Sequence, residues 1–418
     1  MKANNSKYYN IYNIFGLIIT IIPLVFPLLS LYPVDPTGTF NLHIAWAELM
    51  AEKNSIVLPH FLYQFLIILI HKIFPFISFN IIGFFIVPLA THFYLAWIIQ
   101  SILIQQLKIN RNGNNVLWTL PIVFVMLVIN PINFFTYPTL YLKYIALTVH
   151  HSATTSLAKP FSIMVFFYII KILKHHHKLK NQNQKYIIYL AIFTILSLLA
   201  KPSYIICLIP SILVLVISKI IRKNSIPYMP LLLGFLIPSF LVLLWQYNFT
   251  YITNQIANLS IEGQSSIVFD PFLVISYFYQ SPLDVFTGFI LSIPFPLFIY
   301  LAYFNKTNKS LEVNLAWVTF CFGVFYFYFL AEGGEPARTY SANFAWSAQL
   351  TLFVLFFVSL VFFLKQFNFK DQFNYILRRK FIELDSKVWL GIFILFLHFV
   401  GGIVYLIYVT QTKDLGFR

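Results

Sequence analysis

Apolar runs close to the length of a membrane-spanning helix recur from one end of the chain to the other, separated by short polar turns. A spanning helix needs about 20 mostly apolar residues, and no polar stretch between these runs is long enough to fold as a soluble domain. The predicted spans are 12–32, 80–105, 116–133, 159–174, 186–200, 204–220, 227–247, 284–304, 312–331, 343–364 and 388–410. The pattern therefore predicts an all-α fold, a polytopic transmembrane helical bundle of about eleven spans, with residues 1–418 as a single integral membrane domain.

The loop predicted between the first two spans, residues 33–79, combines an acid, a histidine and an amphipathic stretch. Pro33 and Pro36 disfavour helix around Asp35, so we expect a turn that presents this carboxylate. From Thr39 onward apolar residues return at helical spacing, which predicts a short helix lying on the membrane surface. Its apolar face is predicted to contain Phe40, Ile44, Ala47 and Ala51, with His43 and Glu48 interrupting it.

Residues 58–76 are long enough to cross the membrane, and the distribution of charge decides against it. If they remain on the outer face as a juxtamembrane or re-entrant helix, every strongly basic loop lies in the cytoplasm, as the positive-inside rule requires. The N-terminus is then cytoplasmic and the C-terminus is not. Of the 28 Lys and Arg residues, this topology leaves outside only Lys53, Lys72, Lys143, Lys159, Lys201, Arg338, Lys413 and Arg418.

Composition supports a membrane protein and removes other classes. Hydrophobic residues make up 59% of the chain and charged residues 10%, whereas about a quarter of a soluble domain is charged. Cytoplasmic loops account for the net charge of +15, so membrane lipids rather than nucleic acid are the expected partners. No nucleotide-binding motif of the GxxxxGK[ST] or GxGxxG type occurs. Abundant Ile, Phe, Asn, Lys and Tyr are typical of an AT-rich genome and favour the plasma (inner) membrane of a bacterium.

Polar residues at the outer ends of spans are candidates for chemistry, because an unpaired charge at the membrane needs a partner or a use. Asp35, with His43 nearby in sequence, can serve as a general base or a metal ligand; the alternative is a capping or solubilising carboxylate. His150, His151 and Lys159 belong to a segment of His, Ser, Thr and Lys donors that suits a phosphate or sugar hydroxyls. The alternative for the two histidines is an interfacial aromatic role.

Two further outer segments carry candidate binding residues. Lys201 lies in a tight turn between two short spans, and the alternative to binding is that it snorkels to water. The segment 331–346 contains Glu332, Glu335 and Arg338, with two glycines that let the backbone approach a ligand closely. An arginine fork suits a phosphate diester; the alternative is an ion pair within the loop. We expect Asp35, His151, Lys201 and Arg338 to converge on one outward-facing cavity.

The order of parts over the first hundred residues resembles the GT-C superfamily of polytopic glycosyltransferases. These parts are a first span, an outer loop opening with Asp35, an amphipathic helix ending near Ile56, a juxtamembrane helix headed by residues 58–63 (LPHFLY), and a second span ending in a basic turn. The resemblance implies that Asp35 is the catalytic acid of the family and that Lys201 and Arg338 are ligands of the lipid phosphate. It also implies transfer of a sugar from a polyprenyl-phosphate-linked donor on the non-cytoplasmic face.

The reaction implied by this resemblance is inversion at the anomeric carbon of the donor sugar. Asp35 would take the proton of an acceptor hydroxyl on a glycan or lipid, while cations stabilise the departing polyprenyl phosphate. A divalent cation, Mg²⁺ or Mn²⁺, is an optional cofactor with Asp35 as its candidate ligand. The alternatives are a polymerase or ligase of lipid-linked glycans for a cell-envelope polysaccharide and, in a different class, a transporter or lipid flippase.

Overall fold

The structure, a computed structural model, describes residues 13–25, 29, 39–109, 116–133, 144–148, 152–175, 183–253, 265–278, 281–334, 342–366 and 385–412. It is mostly helical, at 81%. The helices are α1 (Asn13–Val25), α2 (Thr39–Lys53), α3 (Leu62–Ile73), α4 (Phe79–Gln106), α5 (Thr119–Val128), α6 (Ala153–His175), α7 (Asn183–Ala200), α8 (Ser203–Ile221), α9 (Tyr228–Ile252), α10 (Leu273–Phe278), α11 (Pro282–Ser292), α12 (Pro294–Ala302), α13 (Phe304–Thr307), α14 (Leu311–Phe329), α15 (Ala345–Gln366) and α16 (Ser386–Thr412). Strands β1 (Ser265–Phe269) and β2 (Leu330–Gly334) form a two-stranded antiparallel sheet.

The described helices support a polytopic bundle but not the predicted count of about eleven spans. Seven are long and apolar enough to cross a membrane: α4, α6, α8, α9, α14, α15 and α16. The pair α11 and α12 makes an eighth only if it is one span bent by 59° at its break, where Pro294 prevents a continuous helix. Three predicted spans contain shorter helices, and the 10 residues of α5 rise only about 15 Å.

The first outer loop contains the two predicted helices, and the apolar face of the first packs against protein. Phe40, Ile44 and Ala47 of α2 are buried as predicted, whereas Ala51 is exposed. Their neighbours are protein rather than bilayer, because α2 packs on α3 and on the start of α4. The apolar face of α2 therefore packs against protein, and the position of this helix on the membrane surface stays a prediction.

The length of helix α3 agrees with the prediction that residues 58–76 do not cross the membrane. Its 12 residues rise about 18 Å, short of a hydrocarbon layer of about 30 Å. The residues before it are not helical, and the Gln246 amide Nε2 donates to the carbonyls of Pro59 (2.9 Å) and Leu198 (2.9 Å). This amide ties the start of the segment to the adjacent ends of α7 and α9.

The alternating direction of the helices gives the bundle two chemically different ends. Helices α6, α8 and α15 begin, and α7, α9 and α14 finish, at what we call the site end, where the β-sheet also lies. At the opposite end, which we call the basic end, Lys174 pairs with Glu312 and the Lys365 Nζ donates to the Gln106 Oε1 at 2.5 Å. The described Lys and Arg residues at the basic end are Lys108, Lys171, Lys174, Lys185, Lys219, Arg222, Lys223, Lys306, Lys309, Lys365 and Lys387.

A buried non-helical segment follows α5 and is held by polar groups from three parts of the chain. The Asn130 side chain donates to the Thr148 carbonyl (3.1 Å) and accepts from the Thr148 N–H (2.9 Å). The Asn130 carbonyl lies 2.8 Å from His398 Nδ1 of α16, and the Ile145 N–H donates to Ser292 Oγ at 3.0 Å. Backbone away from a helix is tolerated inside a membrane protein only where such groups satisfy it.

The topology itself remains a prediction and can be tested with reporters. We expect a tag after Lys180 and a tag after Arg379 to report the cytoplasm, because both belong to the basic loops. A tag after Glu262, in the connection between α9 and β1, should report the opposite side. Reversed signals from the three positions would contradict the assignment of the site end to the outer face.

Candidate functional site

The turn between α7 and α8 buries a lysine at the site end. Pro202 disfavours helix at the preceding residue, so α7 finishes at Ala200 and the turn presents Lys201. Lys201 is only 8% exposed, and its Nζ lies 4.2 Å from the centre of the Trp346 ring at the start of α15. A lysine that snorkels to water would be exposed, so that alternative for Lys201 is wrong.

A carboxylate reaches the same place from the β-sheet. Glu332 lies in the middle of β2, paired with Ile267 of β1, and is 9% exposed. Its Oε2 accepts a hydrogen bond of 3.0 Å from the Asn343 Nδ2, just before α15. The neighbouring glycine serves the sheet, because a Cβ at Gly333 would lie 2.7 Å from the Val268 Cγ1. Gly333 therefore allows close packing of the two strands, and the approach of a ligand to this glycine stays a prediction.

Helix α2 contributes His43, which is buried against α3. The His43 Nδ1 lies 2.7 Å from the Gln64 Nε2, and the ring packs edge-on against Trp46 and Tyr63. Tyr63 in turn donates a hydrogen bond to the Gly83 carbonyl. His43 is therefore held in one orientation by neighbours on two helices rather than facing the bilayer.

Burial and neighbouring charges shift the pKa values of His43 and Lys201. Burial, followed by repulsion from His60 and Lys201, holds the pKa of His43 well below its usual range. Burial lowers the pKa of the Lys201 amine to about 7, and the Glu332 carboxylate opposes this shift. Burial disfavours the charged form of a base unless a counter-charge is present. We refer to His43, Lys201, Glu332, Asn343 and Trp346 as the Lys201 cluster.

Lys159 lies deeper in the bundle than Lys201. Its Nζ donates to the Leu147 carbonyl at 2.8 Å and lies 4.7 Å from the centre of the Phe353 ring. Phe353 is seven residues beyond Trp346 on α15, hence on the same face and about 10 Å further along the helix. The contacts of Lys159 hold the non-helical segment against α6 and α15. Its role in substrate binding stays a prediction.

Five of the predicted site residues lie outside the described residues: Asp35, His150, His151, Glu335 and Arg338. Covalent geometry still limits where they can be, since one residue spans at most about 3.6 Å. Asp35 is four residues from the start of α2, and Arg338 is four residues from both Gly334 and Ala342. The expected convergence of Asp35, His151, Lys201 and Arg338 thus remains a prediction, with Lys201 the only one of the four in the described part.

Residues that sequence reasoning did not select complete the cluster. Trp346 and Asn343 contact Lys201 and Glu332 only because α15 begins beside the turn that follows α7, which sequence spacing does not reveal. Gln64 had a signal, since it is a polar residue in an apolar run and is fully buried. Its Oε1 accepts no hydrogen bond from the described part of the chain.

The described part of the site does not fit a divalent cation. It contains no group of three or more His, Cys, Asp or Glu side chains arranged to hold a metal ion. Glu332 already accepts from Asn343 and lies near a lysine. Asp35, the candidate ligand, lies outside the described residues.

An apolar cavity of about 640 Å³ opens beside the β-sheet, between α10, α11 and α14. Its lining includes Phe272, Val285, Phe286, Phe289 and Tyr328. Phe272 and Phe286 are 49% and 61% exposed, so the cavity opens sideways where lipid would be. The Phe272 N–H donates to the Tyr328 carbonyl at 2.6 Å, which fixes the floor of the cavity to the end of α14.

Comparison of the chain with protein-family models, curated proteins and solved structures found no match.

Proposed function

We propose that the chain is a membrane glycosyltransferase that moves a sugar from a polyprenyl-phosphate-linked donor to a glycan or lipid acceptor on the non-cytoplasmic face. The observation that supports this best is the Lys201 cluster. A buried lysine with an aromatic ring on one side and, among the described residues, one carboxylate nearby suits an anion at the end of a membrane bundle. A phosphodiester at the head of a lipid is an anion of this kind.

The chemistry assigns one role to each group. An acceptor oxygen attacks the anomeric carbon, the bond from that carbon to the phosphate oxygen breaks, and the proton of the acceptor goes to the Asp35 carboxylate. Lys201 stabilises the negative charge that develops on the departing polyprenyl phosphate. His43, neutral because its pKa is low, can position a sugar hydroxyl without competing for the phosphate.

The apolar cavity offers a place for the polyprenyl chain close to this cluster. Tyr328 lines the cavity near the end of α14, and Glu332 follows four residues later in β2, so their Cα atoms are about 13 Å apart at most. A lipid seated with its chain against Phe286 and Phe289 would therefore have its phosphate within reach of Lys201.

A transporter or lipid flippase remains the alternative from a different class, and two observations bear on it. Transporters are built on helices broken near the middle of the membrane, and both the α11–α12 break and the segment after α5 are breaks of this type. Here side chains fill the breaks, as Asn130 and Ser292 show by bonding to backbone groups. This filling favours a fixed scaffold over a pathway that opens on both sides.

The binding role of Lys201 can be tested through pH, with a polyprenyl-phosphate hexose as the probe. Its phosphodiester stays singly ionised between pH 7 and 9. Lys201 must take up a proton to meet the anion above its pKa of about 7, so the wild-type Kd should rise with pH above 7, up to about tenfold per unit. His43 stays neutral in this window. Lys201→Arg should bind with no such slope because arginine stays charged.

Lys201→Gln should bind weakly at every pH, and Lys72→Gln, which changes an exposed lysine of α3, should keep the wild-type slope. A flat wild-type profile, or wild-type behaviour of Lys201→Gln, would remove Lys201 as the phosphate ligand. Products identify the activity in reconstituted vesicles: single hexose transfer supports the proposal. Growth of a lipid-linked glycan indicates the polymerase, and movement of unchanged lipid across the bilayer indicates the flippase.

A further inference from the structure

A second cavity, an amphipathic cleft, lies towards the basic end, away from the Lys201 cluster. It runs between α4, α6 and α7 and has a volume of about 550 Å³. Tyr94, Trp97 and Phe193 line one part, while Gln105, Gln106, Lys171, Lys174 and Glu312 line the other. Tyr94 and Gln106 are twelve residues apart on α4, so the cleft extends about 18 Å along the helix, from hydrocarbon depth to the membrane boundary.

The polar part of the cleft carries more positive than negative charge. Glu312 is the one acid among the described lining residues, and it pairs with Lys174. Lys171 also lines the cleft, and its ammonium lies over the Tyr186 ring, 4.1 Å from its centre. Lys365 lies next to the polar part of the cleft, where it donates a hydrogen bond to the Gln106 side chain. An anion entering here would meet at least two ammonium groups.

The apolar part is open to the membrane and is lined with rings. Trp97 is 48% exposed, and it stacks against Tyr94 with ring centres 5.9 Å apart. Tyr168 and Phe193 stack on the far side with ring centres 5.7 Å apart. Flat aromatic walls at this depth suit an acyl chain, while the lysines at the boundary suit its headgroup phosphate.

We propose that this cleft binds an anionic phospholipid, with an acyl chain against Trp97 and Phe193 and the headgroup phosphate between Lys171 and Lys174. Basic pockets between helices at the membrane boundary select anionic over zwitterionic lipids, because the net charge of the pocket is left uncompensated by a neutral headgroup. The lipid would bridge α4, α6 and α7 and sit beside Glu312 of α14. The site is separate from the proposed glycosyl-transfer site and does not depend on it.

The first experiment uses the wild-type protein in vesicles and needs no altered fold. Phosphatidylglycerol brominated in its acyl chains should quench tryptophan fluorescence more than phosphatidylcholine brominated in the same way. Trp97→Phe should remove this difference while leaving the other six of the seven tryptophans. Equal quenching by the two lipids, or a difference that persists in Trp97→Phe, would overturn the proposal.

The second experiment measures phosphatidylglycerol retained by the purified full chain in native mass spectrometry. Lys171→Gln/Lys174→Gln/Glu312→Gln should lower retention about tenfold, and neutralising Glu312 together with the lysines avoids leaving its carboxylate unpaired. The control Lys306→Gln/Lys309→Gln also removes two lysines from the basic end but lies outside the cleft lining, and it should retain lipid as the wild type does. Equal retention in both variants would contradict a specific site. Displacement by free glycerol phosphate at millimolar concentration would show a site for free phosphate and would likewise overturn the proposal.

Discussion

Asp35→Asn is expected to lower turnover about 10²–10⁴-fold while the lipid-linked donor still binds. The substitution keeps the size and hydrogen-bonding capacity of the side chain and removes the basic carboxylate. General-base catalysis contributes a factor of this size, and a group that acts only on the acceptor proton contributes little to donor affinity. The loss should therefore appear in kcat, with the donor Kd unchanged.

Chain connectivity limits how far Asp35 can lie from the Lys201 cluster. Asp35 precedes the start of α2 by four residues, so its Cα lies within about 14 Å of that of Thr39. Helix α2 brings His43 into the Lys201 cluster one turn later, and its buried face locks the helix to α3 and α4. A carboxylate tethered at this point would serve the acceptor hydroxyl beside the phosphate that we propose Lys201 binds.

The measurement is transfer from a polyprenyl-phosphate hexose in reconstituted vesicles, with donor binding assayed separately. Glu48→Gln is the matched control because it neutralises an exposed carboxylate of α2, and we expect it to keep wild-type turnover. Unchanged turnover in Asp35→Asn would remove it as the base. Equal losses in the two variants would point to the net charge of the outer loop rather than to proton abstraction.

Gly402→Ala is expected to destabilise the bundle by about 3 kcal/mol, the upper end of the cost of overpacking a core. A Cβ at this position of α16 would lie 2.0 Å from the Val128 carbonyl oxygen, and one at Gly401 would lie 2.3 Å from the Pro131 oxygen. Both obstacles are backbone atoms, so no side chain can rotate away. Helix α16 would have to move and break the contact between His398 and Asn130.

Gly234→Ala of α9 is the control, because its Cβ would lie 3.1 Å from the Leu190 Cδ2 and 3.2 Å from the Ile187 carbonyl oxygen, so a shift of a few tenths of an ångström accommodates it. In the control, alanine also restores helix propensity, worth about 1 kcal/mol, so its stability should change little. Thermal unfolding of the purified proteins in one detergent gives the comparison. Equal melting temperatures of Gly402→Ala and the wild type would show that α16 and the segment after α5 do not pack as closely as described.

Patterns along the chain were enough to predict a polytopic membrane protein and the difference in charge between its two ends. Apolar runs must form helices in a bilayer because unpaired backbone groups are too costly there, and the basic residues then sort to one side. The same patterns also predicted local features such as the buried face of α2 and the turn at Lys201, where Pro202 ends a helix. These conclusions depend on residues that are close together in the chain, and a periodic pattern shows such local relations.

Which polar groups meet could not be predicted from local patterns, because their partners lie far apart in the chain. Glu332 reaches the cluster through the pairing of β2 with β1, whose register no local pattern specifies. Trp346 covers Lys201, and His398 supports Asn130, across 145 and 268 residues respectively. The sequence also did not reveal that α5 is short, because an apolar run has the same pattern whether it continues as a helix or as a buried non-helical segment. In the segment after α5, hydrogen bonds from distant side chains satisfy the non-helical backbone, so that it can lie inside the membrane.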